Sequence, residues 1–335
     1  MKIEYNKLRR ANEFQKSFFA KLLEYRIIEE MELVIMAPTS PQNGYRIYKN
    51  GGWLADVKKT KVVFLADKGY KKYINLIIEN TNKFYELKAF FETANYNSLI
   101  DDNDLKWFLN QCVRVVEKWS EAKIQTHEER KFETELIFCN RKCQKEMLID
   151  MEFNITPWKN SCITRYGKCV INGISHRGGR VDLVAYDADN GFGLIELKYN
   201  CKSMNNLGKH FGDFDGVKNS TKKEEIIEEL IIRLDSLSST GVYDITLDAP
   251  VKEEFWFGFL LIGGDSKEDY KEEIRKSQNW KCSEIQNKKT VRVDWTDLKE
   301  SCEKGAEEFM IAWYPNLNMV EVKKESFMPF LDFLR

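Results

Sequence analysis

Hydrophobic residues recur at helical spacing along much of the first 140 residues of the chain. This periodicity predicts helices over residues 12–33, 71–80, 84–93, 104–119 and 127–143. Two short strands are predicted at 45–48 and 61–65, with Gly51 and Gly52 marking a turn between them. The first part of the chain is therefore expected to be a mainly helical domain with a small strand pair.

After residue 143 the pattern changes to short apolar runs that follow one another closely. Strands are predicted over residues 147–153, 168–174, 180–187, 192–199, 254–262 and 308–313. Amphipathic helices at 222–237 and 267–279 interrupt the series. Strands and helices in this order predict an α/β fold, with a mixed β-sheet flanked by helices on both faces. The predicted domains are residues 1–124 and 125–335.

Composition narrows the class of protein without naming a function. The 335 residues include 52 Lys and Arg and 53 Asp and Glu, so the formal net charge is -1 and no global positive field favours nucleic acid. Any polyanion must therefore meet a local basic patch. No apolar run approaches the roughly 20 residues needed to span a bilayer, and the N-terminus lacks the pattern of a secretory signal. We expect a soluble, cytoplasmic protein that does not associate with membranes.

Eight cysteines are spread along the chain, and no two have the Cys-x-x-Cys spacing of a zinc ribbon or redox motif. Reduced thiols that pack as small apolar side chains are the simpler interpretation. The alternative is a four-thiolate zinc site formed by Cys139, Cys143, Cys162 and Cys169.

One predicted strand carries an acidic residue in an apolar setting. The run from Gly178 to Asp187 reads Gly-Gly-Arg-Val-Asp-Leu-Val-Ala-Tyr-Asp, so Asp182 interrupts a strand that is otherwise built to be buried. Turn residues follow, and the next strand, Phe-Gly-Leu-Ile-Glu-Leu-Lys, is expected to fold back as a hairpin. Because side chains alternate along a strand, Glu196 and Lys198 share one face, and the hairpin is expected to bring Asp182 beside them.

Two carboxylates and an ammonium suit one kind of chemistry. Carboxylate oxygens, with waters and phosphate oxygens, are the ligands that Mg²⁺ or Mn²⁺ accepts. Such a cation can polarise a phosphodiester and lower the pKa of a water molecule, while a neighbouring lysine orients the water or stabilises the developing charge. We therefore predict that Asp182 and Glu196 bind the metal. Lys198 is expected to serve this chemistry and not packing.

The residues Gly-Arg-Val-Asp, a turn, and Ile-Glu-Leu-Lys resemble the core of the PD-(D/E)XK nuclease superfamily. The resemblance covers roughly residues 127–262 and implies a restriction-endonuclease-like mixed sheet, with Asp182, Glu196 and Lys198 as catalytic residues. Val181 replaces the proline of the name. The family often adds a carboxylate from the preceding helix, for which Glu133 is the first choice.

Several further residues are candidates for the same site. Glu129 and Glu135 are the alternatives to Glu133 on the preceding helix. The resemblance also implies a polar or basic residue on the helix after the Glu-x-Lys strand, and three residues in that segment, Lys202, Lys209 and His210, could contact substrate. Just before the Asp182 strand, His176, Arg177 and Arg180 either grip phosphates, since glycines let the backbone approach a ligand, or solvate a turn.

These features predict a metal-dependent nuclease that acts on nucleic acid, with DNA the favoured substrate, in restriction, repair or defence. Because one site cuts one strand, a homodimer is compatible with the prediction. The first alternative is a nuclease-like module that binds nucleic acid or protein without cutting. The second is an interaction scaffold whose helical first part docks a partner. Tyr45 to Lys61 interleaves aromatic and basic residues, which favours substrate recognition by the first part or, alternatively, a packed hairpin with solvated lysines.

Overall fold

A computed structural model describes most of the chain. The described residues are 8–40, 42–93, 101–140, 146–154, 180–201, 204, 210, 214, 217, 222–245, 252–276, 280–284, 289–293, 309–320 and 322–335. The predicted strand at 168–174 lies outside them. In this described part of the chain, no helix has the length and apolar character needed to cross a membrane.

The chain forms two compact units. The first comprises Met1–Gln144 and Ile231–Pro250, and the second comprises Lys145–Leu230 and Val251–Arg335. The division thus differs from the predicted boundary between residues 124 and 125. The helix predicted at 127–143 belongs to the first unit, and so does a segment from the middle of the sequence.

The first unit combines helices with a four-stranded antiparallel sheet of order β1-β2-β3-β4. Its helices are α1 (Glu13–Glu24), α2 (Ile27–Glu30), α3 (Lys71–Ile77), α4 (Thr81–Glu92), α5 (Asp102–Ala122) and α6 (Ile124–Asn140). Its strands are β1 (Val34–Met36), β2 (Tyr45–Lys49), β3 (Gly52–Val57) and β4 (Val62–Phe64). The prediction of a small strand pair was therefore wrong in extent. Asn50 and Gly51 both have positive φ and turn the chain so tightly that β3 begins at Gly52, inside the predicted turn.

Aromatic side chains make up much of the core of the first unit. Phe64 on β4 stands edge-to-face against Phe91 of α4 and Phe108 of α5, with ring centroids 5.2 and 4.9 Å away. Phe18 of α1 contacts the same group. All four rings are 2% exposed or less. The predicted long helix at 12–33 is divided here, because Arg26 takes a left-handed conformation (φ 54°) between α1 and α2.

Residues 231–250 join the first unit through tyrosine hydroxyls. Tyr243 donates to the carbonyl oxygen of Ile35 (2.9 Å) and lies 3.2 Å from the amide nitrogen of Ile35, on β1 at the edge of the sheet. The Tyr45 hydroxyl on β2 lies 3.0 Å from the carbonyl oxygen of Ser236. The two Tyr243 contacts cover polar backbone groups of the edge strand β1, which otherwise invites pairing with another chain.

The second unit contains a six-stranded mixed sheet of order β12-β11-β8-β7-β6-β5 and a separate β9–β10 hairpin. Its strands are β5 (Glu146–Asn154), β6 (Arg180–Asp187), β7 (Gly191–Lys198), β8 (Phe255–Ile262), β9 (Trp280–Glu284), β10 (Lys289–Val293), β11 (Phe309–Tyr314) and β12 (Met328–Pro329). Helices α8 (Lys267–Lys276) and α9 (Phe330–Leu334) belong to it, while α7 (Lys223–Ser238) has residues in both units.

The six-stranded sheet of the second unit contains both antiparallel and parallel pairs of strands. Strands β5, β6 and β7 pair antiparallel, β8 runs parallel to both β7 and β11, and β12 pairs antiparallel with β11. The parallel strands β7 and β8 read as nearly continuous apolar runs, as expected for strands covered on both faces. The prediction of a mixed α/β sheet is confirmed. The finer restriction-endonuclease-like assignment stays a prediction.

Candidate active site

A tight turn fixes the hairpin of β6 and β7. The buried carboxylate of Asp187 accepts hydrogen bonds from the backbone amides of Asp189 (2.9 Å) and Asn190 (3.1 Å), and from the amide of Lys324 (3.1 Å). Gly191 then starts β7 with φ of 84°, a conformation in which glycine meets no steric penalty. The predicted hairpin is confirmed, and its register is set from this end.

Glu196 and Lys198 lie on one face of β7, as strand alternation requires. Both are nearly fully buried, at 3% and 5% exposure, and the Lys198 Nζ donates to Glu196 Oε1 over 2.6 Å. The parallel neighbour β8 is apolar at the paired positions, Phe259 and Leu261. The ion pair is therefore set into an apolar sheet, where the attraction between two charges is stronger than at an exposed surface.

Asp182 lies at the point where the β6–β7 ladder ends. The last residue pair of the ladder is Leu183 with Ile195, so Asp182 and Glu196 are the next residues on the two strands and face each other. The Asp182 Oδ2 accepts the backbone amide of Leu197 at 2.7 Å, which ties the carboxylate to β7. Three of the predicted site residues thus meet at one end of the hairpin.

Burial and the neighbouring charges shift the pKa of Asp182. Burial, and then the negative charge of Glu196, raise the pKa of Asp182 from 3.8 to about 8, whereas Lys198, the Leu197 amide and His210 act to lower it. A second carboxylate charge is thus disfavoured here unless a cation compensates it.

His210 contacts the Glu196 carboxylate. Its Nδ1 lies 3.0 Å from Glu196 Oε1, the oxygen that also accepts Lys198, and its side chain is 13% exposed. Sequence reasoning placed His210 among the substrate-binding residues, and the structure puts it against the predicted metal ligand Glu196.

The other predicted residues are placed as follows. Arg180 begins β6 and is exposed, two positions before Asp182 and so on the same side of the strand. Glu133 is buried on α6 in the first unit, where Glu129 is exposed and Glu135 partly exposed. Participation of this helix in the site stays a prediction. His176, Arg177, Lys202 and Lys209 lie outside the described residues, as do Cys143, Cys162 and Cys169 of the zinc alternative.

Comparison with known proteins gives no independent assignment. No family model matches the chain, and neither a curated protein nor a solved structure shows significant similarity to it. The geometry of the chain itself is therefore the basis for assigning a function.

Sequence reasoning missed two residues near the site. Asp150 on β5 is 5% exposed and pairs with Val184, which places it on the sheet face of Asp182 and Glu196. Its signal, an acid within an apolar strand, was the one that singled out Asp182. The hydroxyl of Tyr270 on α8 donates to the carbonyl oxygen of Ile262 at 3.0 Å and lies 3.4 Å from that of Lys198.

The donor set suits a cation that takes few protein ligands. Across the described residues, no three His, Cys, Asp or Glu side chains form a group suited to hold a metal ion. Asp182 and Glu196 are two facing carboxylates at the end of a hairpin, and Mg²⁺ commonly binds one or two carboxylates and keeps several waters. The residues present fit such an ion better than one that needs a closed protein cage.

Proposed function

We propose that the protein is a metal-dependent phosphodiesterase that hydrolyses nucleic acid, with DNA as the favoured substrate. One observation carries the proposal: Asp182 and Glu196 face each other at the end of the β6–β7 hairpin, with Lys198 hydrogen-bonded to Glu196. A mixed sheet that bears the Asp and the Glu-x-Lys on neighbouring strands is also what the PD-(D/E)XK resemblance implies. Mg²⁺ or Mn²⁺ is the cofactor that this donor set suits.

Each residue has a definite part in this proposal. Asp182 and Glu196 would hold the cation, which would supply polarisation of the phosphodiester and neutralise charge that develops on it. Lys198 then exchanges part of its interaction with Glu196 for a phosphate oxygen or the attacking water, which its ammonium orients. Arg180 is exposed at the start of β6, and in this proposal it contacts the phosphate backbone of the substrate.

The carboxylates are prepared for a cation by their surroundings. Bringing Asp182 and Glu196 together in a partly desolvated place disfavours the charged form of Asp182, and a divalent cation reverses that preference. The Asp182 carboxylate accepts the backbone amide of the buried Leu197, and this hydrogen bond fixes the carboxylate against β7. The geometry is thus organised before substrate arrives, which favours catalysis over simple binding.

A binding module without catalysis is the second candidate function. The observation in its favour is that Glu196 Oε1 is already in contact with both Lys198 and His210. A carboxylate engaged in this way can serve as a structural ion pair that lets the sheet contact nucleic acid or a protein without cutting.

Cleavage assays on the full chain separate the two functions. The purified protein is incubated with single- and double-stranded DNA and RNA in the presence of Mg²⁺, Mn²⁺ or a chelator. The proposal requires cleavage of at least one nucleic acid that the chelator abolishes, and a loss of at least about 100-fold in Glu196→Gln and Asp182→Asn. Asp189→Asn removes the same charge from the exposed turn of the hairpin and is the matched control. Binding without cleavage under every metal condition favours the binding module.

A further inference from the structure

The four-stranded sheet of the first unit has one buried face and one face that is partly open. Tyr45 and Phe64 lie on the buried face and contact aromatic rings of α1 and α4. Along β2, β3 and β4 the residues between the buried ones are partly exposed, as in an antiparallel sheet with one side toward water. These residues form what we call the open face: Arg46 and Tyr48 on β2, Trp53 and Asp56 on β3, and Val63 on β4. The proposed function does not use this face.

Strand pairing brings the residues of the open face together. Tyr48 pairs with Trp53, so two aromatic side chains are neighbours across β2 and β3. Arg46 pairs with Asp56, and its guanidinium carbon lies 5.1 Å from the ring centroid of Trp53, the distance of a cation–π contact. That contact places Arg46 and the aromatic pair on the same side of the sheet, as the alternation of side chains predicts.

The turn between β3 and β4 adds lysines to the open face. The amide of Lys58 donates to the carbonyl oxygen of Lys61 at 2.9 Å, directly beyond the last residue pair of the β3–β4 ladder. Alternation along the two strands therefore puts both lysines on the side of Asp56. Both are partly exposed, and Lys59 in the turn is exposed. The open face thus ends in a basic turn.

Positive charge prevails in this part of the chain. Residues 45–64 contain a single acidic residue, Asp56. Burial raises the pKa of Asp56, and the positive charges of Arg46 and Lys58 act to lower it. Of the five basic residues in the same range, Lys49 is buried on the other face and pairs with Glu32 at 2.8 Å. The other four belong to the open face and its turn: Arg46, Lys58, Lys59 and Lys61. This balance of charge suits a polyanion.

We propose that the open face binds single-stranded DNA, with bases on the aromatic pair and phosphates on the basic residues. That the ligand is a nucleic acid rests on the proposed function. Tyr48 and Trp53 present ring surface on which unpaired bases can stack, whereas a duplex keeps its bases stacked in its interior. Lys58 lies five residues from Trp53, roughly 15 Å along the chain, so base and phosphate contacts fall on different nucleotides of one strand. An acidic protein segment would meet the same cations but has no bases to place on the rings.

Binding is measured on the full chain in chelator, so that the proposed cleavage does not consume the probe. Fluorescence anisotropy follows a labelled single-stranded DNA of about 20 nucleotides over a range of salt concentrations. Lys58→Gln combined with Lys61→Gln is expected to weaken binding about tenfold and to reduce the slope of log affinity against log salt by about 1.4, since each phosphate contact on a single strand contributes about 0.7. Lys71→Gln combined with Lys72→Gln is the matched control, because it removes two exposed lysines of α3 in the same unit.

Substitution of Tyr48 separates stacking from charge. Tyr48→Ala is expected to weaken binding about tenfold without a change in the salt slope, because it removes a ring and no charge. Tyr48→Phe keeps the ring and should bind like the wild-type protein. Tyr85→Ala removes an exposed tyrosine of α4 and is the control for the loss of a ring elsewhere in the unit. The melting temperatures of all variants are compared, so that unfolding is not taken for weak binding.

Three results would overturn this inference. The first is a lysine double variant of the turn whose affinity and salt slope equal those of its control. The second is equally tight binding by Tyr48→Ala and the wild-type protein. The third is tighter binding of double-stranded DNA, of RNA of the same sequence or of an oligoglutamate of equal charge, each of which would assign the face to another ligand.

Failure of this inference and failure of the proposed function give different results. DNA binding that depends on the open face, in a protein that never cleaves with Mg²⁺ or Mn²⁺, contradicts the proposed function alone. Metal-dependent cleavage with the same KM in the wild-type protein and in the Lys58→Gln, Lys61→Gln variant contradicts this inference alone.

Discussion

Lys198 and Glu196 are nearly fully buried, and a buried charge is tolerated when an opposite charge lies beside it. Lys198→Met keeps an apolar side chain of similar length but takes the ammonium away from the Glu196 carboxylate, which keeps its contact with His210. We expect cleavage to be lost and the free energy of unfolding without metal to fall by about 3 kcal/mol, measured by urea denaturation. The lysine then serves stability as well as chemistry, contrary to the expectation from sequence.

A double variant provides the control for this loss. Lys198→Met combined with Glu196→Gln removes both charges, so most of the lost stability should return. If the two substitutions are simply additive, the ion pair does not account for the loss.

The raised pKa of Asp182 predicts that the stability of the protein changes with pH. Its pKa is raised from 3.8 to about 8, so between these values the unfolded chain releases a proton that the folded protein retains. The free energy of unfolding contributed by this group therefore falls as pH rises from about 4 to about 8. Asp182→Asn removes that penalty, and its Oδ1 can still accept the Leu197 amide. In chelator we expect equal melting temperatures near pH 4 and a higher one for the variant near pH 8.

Adding Mg²⁺ near pH 8 should raise the melting temperature of the wild-type protein above that of Asp182→Asn. The cation stabilises the wild-type protein by binding to the folded state, and the variant has lost one of its ligands. Asp189→Asn, on the exposed turn, is the control and should melt like wild type across the pH range. If the melting temperatures of Asp182→Asn and wild type differ by the same amount at every pH, the pKa of Asp182 is not raised in the folded protein.

At the scale of one element, the β6–β7 turn sets the register that brings the site residues together. Asp187→Ala removes the acceptor of three backbone amides, including that of Lys324 from a distant part of the sequence. We expect the free energy of unfolding to fall by about 2 kcal/mol. Cleavage should fall only in proportion to the loss of folded protein. Thermal and urea denaturation measure the first effect.

Asp189→Ala is the control for the turn, because the exposed Asp189 contributes its backbone amide and carbonyl to the hydrogen bonds of this region. It should leave stability unchanged within about 0.5 kcal/mol. Equal stability of the two alanine variants would mean that Asp187 does not hold the turn.

At the scale of the whole molecule, the second unit is interrupted by a segment of the first. Ile232, Leu234 and Leu237 on α7 are buried, and residues 231–250 belong to the first unit. A fragment of residues 145–335 therefore leaves this segment without its packing surface. We expect the fragment to be cut by protease within residues 231–250, or to aggregate, under conditions in which the full chain resists.

The matched variant is the same fragment with Ile232, Leu234 and Leu237 changed to glutamine. It should remain in solution longer than the parent fragment, although residues 231–250 should still be cut. A parent fragment that melts at the temperature of the full chain would show that the second unit folds without the first.

The sequence determined the elements that depend on local pattern. Apolar runs of strand length, the acid in the β6 run and the Glu-x-Lys of β7 predicted the hairpin and the meeting of Asp182, Glu196 and Lys198, because alternation and turn residues act over a few positions. They also predicted a mixed sheet.

Only the tertiary structure decided features that depend on residues distant in sequence. His210 against Glu196 and Asp150 on the same sheet face are such features. So is the assignment of α6 and residues 231–250 to the first unit. No local spacing encodes these contacts, because they form when separate segments bury their apolar faces together and thereby fix which polar side chains become neighbours.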